Sequence, residues 1–196
     1  MVRAWLIVLG LVAALLVASW PNASGTNLLV NGGFEDGTDG WSSNFGQLEV
    51  VASPVHGGSQ AARLTGASIQ AYELYQWVDV LPDASYEFTG WTLLDDPAVQ
   101  SVFLRVSWFD ADTNLVSTVD SPSLTIAAVD YQHLATGQVT SPAAARSARV
   151  SVRVQVSDAF IAYFDDISFE GPLATPSATP TSEPAATPTA TPTETP

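Results

Sequence analysis

The sequence contains no cysteine and no lysine, and its positive charge comes from six arginines. Without cysteine, an exported domain of this size has no disulfides, and a structural metal ion is one replacement. Twenty acidic residues bring the formal net charge to -14. This balance argues against a nucleic-acid partner, because such binding depends on neutralising phosphates. It suits an extracellular protein and supplies many oxygen ligands for cations.

The central part of the chain lacks a helical hydrophobic period and instead shows short alternating runs separated by proline and glycine. In Ala148–Val156, valines alternate with Arg149, Ser151, Arg153 and Gln155, which is typical of a half-buried strand. The same pattern predicts strands over Ser101–Phe109, Ser85–Thr92 and Tyr72–Val80.

Weaker alternation predicts six further strands, near Asn27–Asn31, Gln47–Ala52, Gln60–Leu64, Leu115–Val119, Gln132–Thr140 and Phe160–Phe169. Turn residues such as Leu81-Pro82-Asp83-Ala84 separate the runs. Eight to ten short strands with such turns predict an all-β fold, a β-sandwich of two antiparallel sheets.

The two ends of the chain differ in composition from this domain. An apolar run, Ala4–Trp20, follows Arg3 and predicts a secretory signal peptide over residues 1–25, with a retained membrane anchor as the alternative. Proline recurs every fourth position from Pro176 to Pro196. Residues 173–196 are therefore predicted to be a disordered Pro/Thr-rich linker or stalk, which leaves residues 26–172 as the folded domain.

Several motifs resemble those of the CenC-type carbohydrate-binding modules, the group that includes families four, nine and twenty-two. They are the opening Asn27–Gly37 with Gly40-Trp41, the segment His56–Gln60, the Gln76…Leu81-Pro82…Tyr86 segment and the closing Phe164–Phe169. The resemblance covers roughly residues 27–171. It implies a galactose-binding-like jelly roll of eight strands, one structural Ca²⁺ and a sugar site on the concave sheet.

The resemblance also implies how the strands divide between the sheets. The first and last strands pair, with the Tyr72 and Gln132 strands in the same sheet. The opposite sheet is expected to hold the strands around Gln47–Leu64, Ser85, Ser101 and Ala148, and to carry the sugar site.

The calcium hypothesis depends on Glu35 and Asp165. Asp165 shares the strand parity of residues that should face the core, and a carboxylate there needs a partner. Glu35 follows the first strand, so pairing of the first and last strands brings it near Asp165. Ca²⁺ prefers such oxygens, and family analogy adds the backbone carbonyl of Gly58. The alternative is that Asp165 accepts hydrogen bonds from exposed backbone amides.

The sugar hypothesis depends on an aromatic platform flanked by hydrogen-bonding side chains. The first-choice set is Trp91, Phe103, Arg105, Arg153, Gln155 and Glu87. Tyr75 and Trp77 are the second choice. The alternative for Trp91 is a residue that closes the edge of the sandwich. Trp41 and Trp108 are expected in the core, and His56 and His133 are interpreted as polar surface residues.

Catalysis is not predicted for this domain. A glycosidase needs two carboxylates across a cleft, and neither the loop pair Asp95-Asp96 nor Glu87 forms such a set.

We expect a monomeric, secreted or cell-surface, non-catalytic module that binds a polysaccharide such as β-glucan or xylan. It would make no membrane contact after signal cleavage, and a further C-terminal module could follow the linker. The alternatives are an accessory fragment of a glycoside hydrolase and an adhesion or scaffold domain without a sugar site.

Overall fold

The computed structural model describes residues 25–67 and 71–174, which form eleven strands in two antiparallel sheets. The strands are β1 (Thr26–Asn27), β2 (Ser42–Asn44), β3 (Gln47–Val51), β4 (Ala61–Gly66), β5 (Ala71–Asp79), β6 (Ser85–Leu93), β7 (Val99–Phe109), β8 (Leu115–Asp120), β9 (Gln132–Thr140), β10 (Ser147–Val156) and β11 (Phe160–Gly171). The predicted signal peptide and nearly all of the predicted linker lie outside the described residues. Within those residues there is no helix long and apolar enough to cross a membrane.

The first sheet has the strand order β3-β4-β11-β6-β9, and β1 pairs with the end of β11. The second sheet has the order β2-β5-β10-β7-β8. The all-β sandwich is therefore confirmed. The first and last strands are neighbours, because Thr26 pairs with Gly171 and Asn27 with Glu170.

The core lies between the two sheets and consists of the apolar side chains that alternate along each strand, as predicted. On β10, Val150 and Val154 are fully buried while Arg149 and Arg153 project from the outer face. Tyr86 of the first sheet packs against Trp108 of the second, with ring centroids 5.6 Å apart. Burial of these side chains supplies the main driving force for folding. Trp41 and Trp108 are both buried, as predicted.

The predicted division of strands between the sheets is wrong for several elements. β5, which contains Tyr72, lies in the second sheet, whereas β3, β4 and β6 lie in the first sheet together with β11. Alternation identifies which side chains of a strand face the core, but both sheets bury one face. It therefore cannot assign a strand to a sheet. The strand β2 was not predicted, since three residues are too short to show a period.

Candidate functional site

The outer face of the second sheet carries its polar and aromatic side chains in rows set by the strand register. Trp77 of β5 is opposite Arg149 of β10. In the next row, Tyr75 is opposite Ser151, which is opposite Arg105 of β7. The third row contains Glu73, Arg153 and Phe103. Side chains of one row are close enough to interact, so the three central strands present one continuous surface.

Two aromatic side chains of β5 form the accessible part of this surface. Trp77 is 50% exposed, and its ring packs against Phe109 with centroids 4.7 Å apart. The Arg149 guanidinium lies 5.1 Å from the centre of the Tyr75 ring and 5.9 Å from that of Trp77. These cation–π contacts help to hold the aromatic rings in place. An exposed indole beside fixed hydrogen-bond donors suits a ligand that has one apolar face and many hydroxyls.

Glu73 organises the cations of this face. Its side chain is buried, and its carboxylate oxygens lie 3.1 Å from Arg149 and 3.3 Å from Arg153. Asn44 of β2 donates a further hydrogen bond of 2.9 Å to Glu73 Oε2. One buried carboxylate thus positions two guanidinium groups that come from the same face of β10.

Several polar groups on this face have no hydrogen-bond partner among the described residues. They are Glu73 Oε1, which contacts Arg149 only as an ion pair at 3.1 Å, and Ser151 Oγ, Arg149 Nε and Arg153 Nε, each with almost no exposed area. A buried donor or acceptor without a partner is costly, on the order of 1–3 kcal/mol for each group. The last three belong to alternate residues of β10, directly beside the aromatic side chains. Because protein atoms cover these four groups, a ligand would contact the exposed parts of the Arg149 and Arg153 side chains, which are 26% and 21% exposed.

Four of the six first-choice sugar residues lie on this face. Arg105 forms a two-point ion pair with Asp120, with both contacts at 2.7 Å, and this pairing raises the pKa of Arg105. Its guanidinium lies 5.5 Å from the centre of the Phe103 ring. Gln155 accepts a hydrogen bond of 3.0 Å from Ser101 Oγ. Together with Arg153, these residues extend the surface around Tyr75 and Trp77.

The other two, Trp91 and Glu87, lie on β6 in the first sheet. The structure therefore separates them from Phe103, Arg105, Arg153 and Gln155. Glu87 accepts a hydrogen bond of 3.0 Å from Gln138 on the adjacent β9. The combined surface predicted from the sequence is not formed, because β6 belongs to the sheet of β11 and not to that of β10. The second-choice aromatics, Tyr75 and Trp77, are the ones that share a face with the predicted arginines.

Trp91 is covered by two imidazole rings that come from distant parts of the sequence. His56 stacks on it with centroids 3.9 Å apart and an interplanar angle of 17°, and His133 lies 4.9 Å away. His56 Nδ1 is 2.6 Å from Asp166 Oδ2. The interpretation of His56 and His133 as simple surface residues was incomplete, because both pack on Trp91. These contacts leave Trp91 less open than Trp77, although it projects from the outer face of an interior strand and not from an edge of the sandwich.

The loop His56–Gln60 receives both carboxylates of the predicted metal site. Asp165 is fully buried and accepts hydrogen bonds from the amides of His56 (2.8 Å) and Gly57 (3.1 Å). Glu35 accepts hydrogen bonds from the amides of Ser59 (2.7 Å) and Gln60 (3.1 Å). Glu35, which follows the first strand, and Asp165, which lies in the last strand, therefore bind the same loop.

The pKa values of these two acids move in opposite directions. Burial raises the pKa of Asp165, and the hydrogen bonds from Gly57, His56 and Asp166 offset only part of this effect. Hydrogen bonds from the Ser59 hydroxyl and from the amides of Ser59 and Gln60 lower the pKa of Glu35. Asp165 therefore does accept backbone amides, as its alternative reading stated. Its buried charge would still be stabilised by a cation.

A β-bulge places Asp165 in the interior. The pairing of β11 with β6 shifts between Asp165 and Ser168, and Asp166 has a positive φ of 44°. Consequently Phe164 and Asp165 are both buried although they are consecutive. Bulges of this kind redirect side chains near functional sites. In the described ranges, no group of three or more His, Asp or Glu side chains is arranged to hold a metal ion. Any metal here would depend on backbone carbonyls for its remaining ligands.

The acidic pair Asp95-Asp96 has a structural contact. Asp96 accepts hydrogen bonds from the amides of Ala98 (2.8 Å) and Ile161 (2.9 Å), one with each carboxylate oxygen. These bonds connect the β6–β7 loop to the start of β11. A carboxylate engaged in this way is suited to holding the loop.

Comparison with known proteins agrees with this architecture, although no family model matches the chain. Two similar solved structures are the CBM22-1 xylan-binding domain of Paenibacillus barcinonensis Xyn10C and a family 16 carbohydrate-binding module. The first has a TM-score of 0.62 and 19% identity, and the match covers 78% of this chain and 98% of that one. The second has a TM-score of 0.56 and 23% identity, and the match covers 73% and 99% of the two chains. The protein therefore has the jelly-roll fold of carbohydrate-binding modules, which confirms the predicted resemblance at the level of the fold.

A curated relative is similar in sequence. Exochitinase 1 of Streptomyces olivaceoviridis is 32% identical over 156 residues, which cover 80% of this chain. The chain spans 24% of the length of that relative. The matched region is thus a small part of a much larger protein.

Proposed function

We propose that this domain is a non-catalytic polysaccharide-binding module whose ligand lies along the outer face of the second sheet. The observation that carries the proposal is the position of Tyr75 and the half-exposed Trp77 beside the partly exposed side chains of Arg149 and Arg153. An exposed indole supplies a stacking surface, and the guanidinium groups supply hydrogen bonds to hydroxyls. The jelly-roll fold of carbohydrate-binding modules supports this assignment.

Binding at this face would need little reorganisation. The side chains stand on three hydrogen-bonded strands, so their spacing is set before a ligand arrives. Burial of one sugar face on Trp77 would contribute about 1–2 kcal/mol. A site of this kind binds modestly, and tethering to a second module raises its effective affinity.

The ligand class we propose is a β-linked polysaccharide, with the predicted β-glucan and xylan as leading members. A similar solved structure is a xylan-binding domain, and another, TmCBM61, is a complex with β-1,4-galactotriose. The exochitinase relative adds chitin to the polymers worth testing. A polysaccharide array probed with the full chain would rank these classes.

The decisive test compares two tryptophans. In affinity gels containing the polymer selected by the array, Trp77→Ala should remove retardation, whereas Trp91→Ala should be retarded like the parent. Thermal melts of both variants check that they are folded. Retardation lost only in Trp91→Ala would move the ligand to the first sheet. A parent that interacts with none of the polymers would leave the scaffold alternative as the better description.

The larger biological role follows from the same proposal. The sequence predicts export and a Pro/Thr-rich spacer, and the curated relative is a chitinase of which the match is a small part. We therefore propose an extracellular module that holds a glycoside hydrolase or another partner module near its polysaccharide. The domain itself would act by binding alone.

A structural Ca²⁺ at the His56–Gln60 loop is part of the proposal. The available donors are oxygens, which suits a hard cation better than zinc. The backbone of Gly58 also approaches Glu35 closely, because a Cβ there would lie 2.0 Å from Glu35 Oε1. Glu35, Asp165 and the Gly58 carbonyl would hold the ion. The ion would neutralise the buried Asp165 charge and clamp the ends of the fold.

A further inference from the structure

The arginines of this acidic protein are concentrated on one surface. The described residues contain five arginines: Arg63, Arg105, Arg146, Arg149 and Arg153. Three of them, Arg105, Arg149 and Arg153, project from the outer face of the second sheet. Glu73, Asp79 and Asp120 belong to the same face, so its formal charges balance, whereas the whole chain carries a formal net charge of -14.

Most of these arginines have partners that satisfy them. Arg63 forms an ion pair with Glu49, and Arg105 forms a two-point ion pair with Asp120. Arg146 donates to the backbone carbonyls of Ala143 (3.1 Å) and Ala145 (2.6 Å). Each of the three therefore uses its guanidinium within the fold.

Arg149 and Arg153 differ, because they share a single carboxylate. Glu73 contacts one terminal nitrogen of each, at 3.1 Å and 3.3 Å, while both Nε atoms are buried without a hydrogen-bond partner. Two cations against one anion leave an excess positive charge. The side chains are only 26% and 21% exposed, so water screens this charge incompletely. A second anion between the guanidinium groups would balance the charge.

An anion bound by this arginine pair would lie at the aromatic platform. Arg149 contacts both Tyr75 and Trp77, so an acidic group on a sugar stacked there would be within reach of its guanidinium. A planar carboxylate matches the paired donors of a guanidinium. Elsewhere the acidic surface disfavours a polyanion, so recognition of such a ligand requires a dedicated cationic site.

We propose that this face recognises a polysaccharide that carries uronic acid residues, with a sugar carboxylate bound between Arg149 and Arg153. The proposal rests on the binding function proposed above and specifies its substrate class. The ring of the uronic acid, or of the sugar next to it in the chain, would stack on Trp77 and Tyr75.

The test uses matched polymers and the full chain. Calorimetry would compare a glucuronic-acid-bearing xylan and a polygalacturonan with the same polymers after chemical reduction of their carboxyl groups to alcohols. We expect affinity for at least one acidic polymer to exceed that for its reduced form by about tenfold or more, as is usual for charge-assisted hydrogen bonds. Added salt should lower the affinity for the acidic polymer and leave the affinity for the reduced polymer unchanged.

Variants assign the effect to the arginine pair. Arg153→Gln should lower the affinity for the acidic polymer to that for the reduced form, whereas Arg63→Gln, on the first sheet, should change neither. Equal binding of acidic and reduced polymers would overturn the uronate proposal and leave the binding function intact. Equal binding of a sulfated glucan would overturn carboxylate recognition in favour of general polyanion binding. Absence of binding to every polymer, including those of the array, would overturn both proposals.

Discussion

Trp77 lies directly opposite Arg149 across the β5–β10 ladder, and the guanidinium carbon is 5.9 Å from the centre of the indole ring. Backbone hydrogen bonds of two neighbouring strands therefore fix the spacing between the apolar and the cationic part of the proposed site. A site held by strands is more precise than one held by loops. The same register places Glu73 opposite Arg153, four residues away along each strand.

We expect Glu73 to matter for stability as well as for the site. Glu73→Gln removes the only carboxylate in ion-pair contact with Arg149 and Arg153 among the described residues. Because the carboxylate is buried, the free energy of unfolding should fall by about 2–4 kcal/mol. Glu49→Gln, which breaks the more exposed pair with Arg63, should lower it much less, because water screens an exposed ion pair. Urea unfolding of both variants measures the difference, and equal costs would contradict the organising role of Glu73.

Gly58 should tolerate a side chain poorly. Gly58→Ala would place a Cβ 2.0 Å from Glu35 Oε1, at a φ of +61°. Gly37 is a matched control, because its φ is +71° and no atom lies within 4 Å of its virtual Cβ. The positive φ alone should cost about 1 kcal/mol in each variant. Additional destabilisation of Gly58→Ala in urea unfolding measures the contact with Glu35, and identical losses would show that Glu35 moves freely.

Calcium should raise the thermal stability of the domain. At a Ca²⁺ concentration about 100 times the Kd, binding adds about 2.7 kcal/mol, which corresponds to an increase in Tm of roughly 5–10 °C. Glu35→Gln keeps the shape of the side chain but removes its charge, so it should lose most of this increase. Glu49→Gln should keep it. Scanning calorimetry in Ca²⁺ and in chelator gives the result, and equal melting temperatures for the parent would remove Ca²⁺ from the proposal.

Tyr131 should make the domain sensitive to alkali. Burial raises the pKa of Tyr131 above its usual value of 10.0, and the charge of Asp165 adds to the effect. The folded state thus keeps the proton that the unfolded state releases, so stability is full below pH 10.0 and falls as the pH rises beyond it. Tyr131→Phe should make the urea midpoint less dependent on pH above about 10. An unchanged dependence would assign the sensitivity to other groups.

Most strands were predictable because alternation is a local property. The valines of β10 and the aromatic and aliphatic residues of β5 to β7 repeat with a period of two, and each region is a strand in the structure. Burial of one face is enough to produce this pattern. The two acidic motifs at the ends of the domain were also informative, since their strands do pair.

The site was only partly predictable, because sheet membership depends on pairing between distant segments. Trp91 was placed beside Arg105 and Arg153 on the assumption that β6 lies in their sheet, whereas β6 pairs with β11 and β9. The arginine pair with Glu73 was missed as a unit. The sequence does show an acidic residue and two arginines at outward positions of two strands. It does not show that these strands pair.

Sequence alone determined that this chain is an all-β sandwich, that Trp108 lies inside, and that Arg149, Arg153, Tyr75 and Trp77 point outward, because these properties depend on residue type and strand parity. Only the tertiary structure decided which outward side chains share a face. It set Trp77 opposite Arg149, covered Trp91 with His56, and joined Glu35 and Asp165 through one loop. The reason is physical: parity follows from the local pleat of each strand, whereas the choice of neighbouring strand depends on how well the complete core packs.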